Sequence, residues 1–150
     1  CRRSVGLKRA ACQAAARGRY IAFCDDDDWI RPDYVDLLLG KIEATEADVI
    51  TFDQNVRVDS SEGTVTFGIN HVDEPWRPNA VVKRAPWHVC AWKAALVAEC
   101  VWPDLMDGED RIWCEQARRC VRNGAHVPEV LHEYRYNTAS TMATPERRAG

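Results

Sequence analysis

Four consecutive carboxylates, Asp25 to Asp28, follow directly on a short apolar run, Tyr20 to Cys24. Four like charges in a row repel one another unless a cation neutralises them. If the segment stays extended, Asp25 and Asp27 point the same way, and paired carboxylate oxygens suit Mg²⁺ or Mn²⁺. A solvated acidic turn that also caps the following helix is the alternative interpretation. The position after an apolar strand favours the cation site, with substrate phosphates as further ligands.

A second acidic pair, Glu109 and Asp110, lies where a helix is predicted to begin, directly after Gly108. Ordinary first-turn acidity can explain such a pair, because the free backbone N–H groups and the helix dipole favour ionised carboxylates there. Asp110 also lies three residues before Trp113 and is expected on the same inward side of the helix. Since an inward carboxylate can act as a general base, Asp110 is the candidate base.

Basic and aromatic side chains could complete a site around these carboxylates. Lys8 and Arg9 precede the acidic run, and either could contact a phosphate, although at least one is expected to be ordinary surface charge. His88 and His132 are candidate metal ligands or polar partners, but a lone histidine is more often a satisfied structural residue. The tryptophans that could stack on a sugar ring, or simply fill the core, are Trp76, Trp87, Trp92 and Trp102.

Alternating helices and strands are predicted to position these residues. The predicted helices cover 5–17, ending at a left-handed Gly18, then 33–42 and 109–123. The predicted strands cover 20–24, buried on both faces, then 48–52, the hairpin arms 56–58 and 64–67, and 130–136. Residues 68–86 show no periodicity and are expected to form a loop over a site. The alternation indicates an α/β sheet, in which ligands lie beyond the carboxyl ends of strands.

The composition narrows the function classes. A chain of 150 residues with 46% hydrophobic residues can form one core. The net charge of −3 gives no field that would hold a nucleic acid, and no apolar run approaches the roughly 18 to 20 residues that a membrane span needs. Seven cysteines without a Cys-x-x-Cys pair favour free thiols in a reducing compartment, so we expect a cytoplasmic protein, also compatible with the cytoplasmic face of a membrane.

Three motifs together resemble family 2 glycosyltransferases, which have the GT-A fold. The resembling segments are 5–9, 18–30 with 32–35, and 108–110 with Trp113, followed by Tyr134, Arg135 and Ser140. They occur in the family's order and extend from Val5 to about Met142. Ala10 stands where the family often has Asn. The resemblance implies an α/β, Rossmann-like GT-A domain with a mixed sheet flanked by helices, and lacking the first strands of the family at its N-terminus.

The resemblance also implies roles for individual residues. Asp27 is the expected direct ligand of Mn²⁺ or Mg²⁺, with Asp25 beside it and nearer the ribose. Apart from the resemblance, His132 is a weaker candidate ligand. Asp110 is the expected catalytic base. The other expected donor-binding residues are Asp26, Asp28, Arg9 and Lys8. The expected acceptor-binding residues are Trp87, His88, Trp92 and Glu109.

The expected activity is metal-dependent, inverting transfer of a sugar from a UDP- or GDP-sugar to a glycan, lipid-linked or protein acceptor. Residues 1–150 are expected to form one partial catalytic domain, with 1–55 ending the nucleotide-sugar half, 56–137 forming the acceptor half and 138–150 a polar tail. Two alternatives stay open. One is a nucleotidyltransferase with a similar sheet, although no basic Gly-rich phosphate loop is visible, and the other is a non-catalytic glycan- or partner-binding domain.

Overall fold

The chain, described over residues 3–137 of a computed structural model, contains four helices and seven strands in that range. The helices are α1 (Val5–Ala15), α2 (Tyr34–Thr45), α3 (Ala94–Val97) and α4 (Glu109–Cys120). The strands are β1 (Tyr20–Ile21), β2 (Trp29–Ile30), β3 (Val49–Val58), β4 (Ser61–Phe67), β5 (Val81–Arg84), β6 (Ala91–Lys93) and β7 (Gly124–Tyr136). The predicted tail at 138–150, with Ser140 and Met142, lies outside the described residues.

The seven strands form one mixed sheet around β3. Strand β3 pairs antiparallel with β4 and β6 and parallel with β7. Strand β1 pairs with β6, β2 pairs with β7, and β5 adds to β4 in parallel. Helix α2 packs against β3 and β7, and α1 packs against α4. The predicted α/β class, with helices beside a mixed sheet, is confirmed.

Local capping explains where the helices begin and end. Helix α1 begins after Ser4, whose hydroxyl accepts a hydrogen bond of 3.1 Å from a backbone N–H of the first turn. It ends before Ala16, which is extended, so the predicted continuation to a left-handed Gly18 is wrong. Helix α4 ends at Cys120, three residues earlier than predicted.

None of the helices in residues 3–137 is long and apolar enough to cross a membrane.

The strand before the acidic run is shorter and more exposed than predicted. Only Tyr20 and Ile21 pair, antiparallel to β6, and both are half-buried. Within residues 3–137, β1 has a strand on one side alone, and the following Ala22 and Cys24 are exposed. The prediction of a strand at 20–24 buried on both faces is therefore wrong, because such burial needs elements packed over each face of the strand, and Ala22 and Cys24 have no such cover.

The middle of the chain forms more sheet than predicted. The predicted strand at 48–52 and the first hairpin arm are one continuous strand, β3, which turns directly into β4. Segment 68–86 contains β5, so the expectation of a loop throughout is wrong. Asp73 and Glu74 accept hydrogen bonds of 2.8 and 3.0 Å from backbone N–H groups in and just after β5. These bonds hold the segment along the edge of the sheet.

Strand β7 positions the histidine that the sequence singled out. The strand begins at Gly124 rather than near Val130, and it pairs with β3 along its whole length. The pairing shifts register around Asp53, after which His132 lies opposite Gln54. Directly opposite residues in adjacent strands have neighbouring side chains on one face of the sheet. His132 therefore faces the side of the sheet on which Gln54 is buried.

Tryptophans fill the core between α1, α4 and the sheet. Trp92 and Trp113 are fully buried, and Trp102 stacks on Trp113 with ring centroids 4.8 Å apart. The indole N–H groups of Trp102 and Trp113 donate to the same carboxamide oxygen of Gln13, at 2.8 and 2.9 Å. Buried indoles need such an acceptor, so Gln13 fixes α1 against α4.

Two helical glycines give a matched prediction about stability. A Cβ on Gly6 would lie 1.8 Å from the carbonyl oxygen of Pro103, whereas a Cβ on Gly40 has nothing within 4 Å. We expect Gly6→Ala to lower the free energy of unfolding by about 1–3 kcal/mol, because α1 must move away from the chain at Pro103. Gly40→Ala should raise it by about 0.5–1 kcal/mol, since alanine restricts the unfolded chain. Urea unfolding measures both, and equal effects would contradict the close approach at Gly6.

Candidate functional site

The acidic loop, which we define as Asp25 to Asp28, connects β1 to β2 as a turn. The backbone N–H of Asp28 donates to the carbonyl oxygen of Asp25 at 3.2 Å. The segment is therefore not extended, and the expectation that Asp25 and Asp27 share one face of a strand does not hold. The turn instead directs the four carboxylates into three environments.

Asp25 contacts two basic side chains. One terminal nitrogen of Arg9 lies 2.6 Å from both oxygens of the Asp25 carboxylate, and Nε2 of His88 lies 3.8 Å from one of them. Burial alone would raise the pKa of Asp25, but interactions with His88 and Arg9 outweigh it and hold that pKa well below its usual range. Asp25 is therefore a carboxylate kept ionised by its neighbours.

Arg9 joins the acidic loop to α4. Its second terminal nitrogen lies 2.6 Å from Oε1 of Glu109, and the guanidinium lies over the ring of Trp102, 5.3 Å from the centroid. Burial raises the pKa of Glu109, and Arg9 opposes that rise. Arg9 is 8% exposed and has two carboxylate partners, whereas the sequence led us to expect a phosphate there. The adjacent Lys8 is exposed.

Asp28 faces away from the other three carboxylates, towards β7. Its side chain is 2% exposed, with one oxygen 3.3 Å from Nε2 of His132 and the other accepting from the backbone N–H of Arg135 at 3.3 Å. The amide nitrogen of Gln54 lies 2.9 Å from Nδ1 of His132. Because an amide nitrogen can only donate, we assign the His132 proton to Nε2, which faces Asp28.

This buried contact corrects two expectations. Asp28 is not placed to bind a donor, because its side chain is covered by β7. His132 is not placed to complete a metal site with Asp27, since it is 1% exposed and contacts Asp28 and Gln54. Both residues anchor the acidic loop to the sheet.

Asp26 and Asp27 are the exposed members of the acidic loop. Partial burial and the neighbouring carboxylates raise the pKa of Asp27, and within residues 3–137 no cation lies within ion-pair distance of it. No group of three or more His, Cys, Asp or Glu side chains in that range could hold a metal ion alone. Uncompensated negative charge at Asp27 fits a hard divalent cation that takes further oxygen ligands from a bound molecule.

Asp110 lies near the acidic loop, with His88 between them. Gly108, with φ of 78°, turns the chain into α4, and Oδ1 of Asp110 accepts a hydrogen bond of 2.7 Å from the N–H of Arg111. The other oxygen lies 3.9 Å from Nδ1 of His88, and the side chain is 28% exposed. The predicted base is therefore half-exposed next to His88, and the more inward residue of the pair is Glu109.

His88 lies between the two acidic groups. It is 4% exposed, and neither ring nitrogen has a hydrogen-bond partner among the described residues. Burial lowers its pKa, while Asp25 and Asp110 oppose that change. The structure therefore brings together Asp25, His88 and Asp110, from segments far apart in the chain.

The two predicted acceptor-binding tryptophans have different environments. Trp87 is half-buried, and the guanidinium of Arg118 lies over its ring at 5.2 Å from the centroid. Trp92 is 0% exposed and belongs to β6, so the structure does not support it as an acceptor-binding residue. Trp102, beneath Arg9, is 4% exposed and is a core residue rather than a free sugar-stacking surface.

Sequence reasoning missed the link from Glu109 through Arg9 to Asp25 and the role of Gln54 beside His132. Two adjacent basic residues in the otherwise uncharged α1, Lys8 and Arg9, were the available signal for the first. No local pattern marked the second, because Gln54 and His132 are 78 residues apart.

Comparison with known proteins adds independent evidence. The family described as Glycosyl transferase family 2 matches residues 3–88. EpsH of Bacillus subtilis (strain 168), named as a putative glycosyltransferase, is 25% identical over 156 residues, covering 96% of this chain and 45% of EpsH. The crystal structure of S. aureus TarS 1–349 matches with a TM-score of 0.66 at 15% identity, covering 88% of this chain and 40% of that one. Its complex with UDP-GlcNAc gives 0.65 at 14% identity, covering 88% and 39%.

The two kinds of likeness support different conclusions. The structural likeness confirms the expected GT-A fold, and the chain spans less than half the length of EpsH or TarS. The family match covers more than half of this chain and includes Arg9, the acidic loop and His88. The chain belongs to glycosyl transferase family 2.

Proposed function

We propose that the protein is a metal-dependent, inverting glycosyltransferase that moves a sugar from a nucleotide-sugar to an acceptor hydroxyl. The observation that carries this proposal is the convergence of Asp25, His88 and Asp110 beside the exposed Asp27. Transfer of a sugar needs charge compensation for a leaving diphosphate and a base for the acceptor hydroxyl. The site has candidates for both on opposite sides of His88.

On the donor side, Asp27 would hold Mn²⁺ or Mg²⁺. Asp25, whose carboxylate contacts Arg9, would be the second carboxylate beside the cation. The cation supplies positive charge that stabilises the leaving diphosphate. Asp26 is exposed next to Asp27 and is available to the donor, as is Lys8 on α1. The donor class we propose is a UDP- or GDP-sugar, and UDP-GlcNAc is the first compound to test because a structure of TarS contains it.

On the acceptor side, Asp110 takes the proton of the acceptor hydroxyl. The acceptor oxygen forms its bond to the anomeric carbon as the bond from that carbon to the diphosphate oxygen breaks. The electron pair of the broken bond leaves with the nucleoside diphosphate. Attack from the face opposite the leaving group inverts the configuration at the anomeric carbon. We propose Trp87 and His88 as residues that border the acceptor.

The acceptor class we propose is a growing glycan, a lipid-linked sugar or a protein, in the synthesis of cell-surface polysaccharide. The reaction would take place in the cytoplasm or at the cytoplasmic face of a membrane, where nucleotide-sugars are available. A protein acceptor and a lipid-linked acceptor present the same chemistry to Asp110, a hydroxyl group.

Calorimetric titration of the full-length protein with UDP-GlcNAc tests this function. We expect binding in the presence of Mn²⁺ that disappears when a chelator removes the metal and returns when Mn²⁺ is added in excess. A parallel titration with a GDP-sugar shows whether the donor site prefers uracil or guanine as the nucleobase. Binding that is unchanged after the chelator is added would contradict metal dependence. If neither nucleotide-sugar binds, the alternative of a non-catalytic binding domain is favoured.

A further inference from the structure

Arg9 connects two carboxylates that belong to different parts of the site. Its guanidinium lies 2.6 Å from both oxygens of Asp25, and 2.6 Å from Oε1 of Glu109. We propose that Arg9 is a positioning residue that fixes the first turn of α4, and with it Asp110, relative to the acidic loop. This inference rests on the proposed function, because it gives Arg9 a part in aligning the base with the donor.

The chemistry of the contact calls for an arginine. A guanidinium is a planar fork whose separate nitrogens can pair with two carboxylates at once, whereas the ammonium of lysine is a single point of charge. The Arg9 fork is nearly buried and lies over the indole of Trp102, which restricts its rotation. Asp25 and Glu109 are therefore held at a fixed separation by one rigid group.

Helix geometry carries this constraint to the candidate base. Glu109 and Asp110 are adjacent residues at the start of α4, so their side chains project about 100° apart around the helix axis. Glu109 faces inward to Arg9, and Asp110 faces His88. Any movement of the first turn relative to the acidic loop therefore displaces Asp110 as well.

A second connection between the same elements is looser. His88 lies 3.8 Å from Asp25 and 3.9 Å from Asp110, beyond hydrogen-bond distance on both sides. The short contacts made by Arg9, rather than the longer ones made by His88, therefore set the distance between the acidic loop and α4.

The first test separates binding from turnover. In Arg9→Lys, which keeps the positive charge beside Asp25, we expect UDP-GlcNAc affinity with Mn²⁺ to change by less than about threefold, while kcat for UDP release falls by about tenfold or more, as expected for a misplaced catalytic group. The matched control is Arg19→Lys, because Arg19 is exposed and its only ion pair in the described chain is 3.9 Å long. An unchanged kcat in Arg9→Lys would overturn the proposal.

The second test needs no activity. Hydrogen exchange of the backbone amides at 112–115 in the ligand-free protein reports how firmly the start of α4 is held. We expect exchange about threefold or more faster in Arg9→Lys and unchanged in Arg19→Lys. Equal exchange in all three proteins would overturn the positioning role even if kcat falls. If the wild type binds no nucleotide-sugar, the proposed function fails and this exchange result still decides the role of Arg9.

A second variant covers the possibility that Arg9→Lys does not fold. Glu109→Gln removes the negative charge that pairs with Arg9 and leaves only a weaker, uncharged acceptor in its place. We expect the same faster exchange at 112–115 and a lower kcat, with UDP-GlcNAc affinity unchanged, because the Asp25 contact remains. Wild-type exchange together with wild-type kcat in Glu109→Gln would overturn the proposal.

Discussion

Replacing Asp110 by Asn is expected to preserve UDP-GlcNAc binding and to lower the turnover number by about 10²–10⁴-fold, the usual contribution of a general base. The amide cannot take a proton from the acceptor. It keeps the size of the side chain and an oxygen that can accept from the N–H of Arg111, so the start of α4 is preserved. Steady-state release of UDP gives the turnover number, and calorimetry gives the donor affinity.

The control for this prediction is Asp107→Asn. Asp107 is exposed and lies three residues earlier, so the substitution removes the same charge from the same region without touching His88. Its turnover should match the wild type. Turnover in Asp110→Asn that stays within threefold of the wild type would exclude Asp110 as the base, because general-base catalysis contributes about 10² or more.

Replacing Asp27 by Ala is expected to abolish the Mn²⁺-dependent part of UDP-GlcNAc binding. The substitution removes the carboxylate that, in the described chain, has no cation partner. The fold should remain intact in metal-free buffer. Because the pKa of Asp27 is raised in the folded protein, its ionised form opposes folding at neutral pH, and removing it leaves the free energy of unfolding unchanged or higher. Titration with and without chelator, followed by urea unfolding, measures both effects.

Asp36→Ala is the control for Asp27→Ala. Asp36 is an exposed carboxylate in the first turn of α2, outside the acidic loop. Its removal should leave Mn²⁺-dependent binding at the wild-type level. A clear loss of stability in Asp27→Ala without metal would indicate that the carboxylate has a structural partner. Retained Mn²⁺-dependent binding would place the metal on other residues.

Local patterns were sufficient for the type and order of most elements. Helical spacing of apolar residues located α1, α2 and α4, and the polar turn between β-branched runs located the β3–β4 hairpin. These signals depend on side chains within a few residues of one another. The motifs that resemble the family are equally local, and for this reason the GT-A fold was also accessible from the sequence.

The environments of the site residues were not accessible, because they depend on contacts between distant segments. Arg9 and Glu109 are 100 residues apart, and nothing near Arg9 indicates a carboxylate partner rather than a phosphate. Asp28 was expected at the donor from the resemblance to the family, whereas the turn of the acidic loop directs its side chain to His132. Trp92 was expected at the acceptor from the same resemblance, and its complete burial depends on packing that its neighbours in the sequence do not reveal.

The parallel pairing of β3 with β7 has a consequence for biosynthesis. The paired residues Thr51 and His126 are 75 positions apart, so β3 leaves the ribosome long before its partner. At typical elongation rates the delay is about 4 to 15 s. During that time the apolar segment Val49–Phe52, which is buried in the final sheet, lacks the cover that β7 provides. The acidic loop acquires its anchor at His132 only after β7 has emerged.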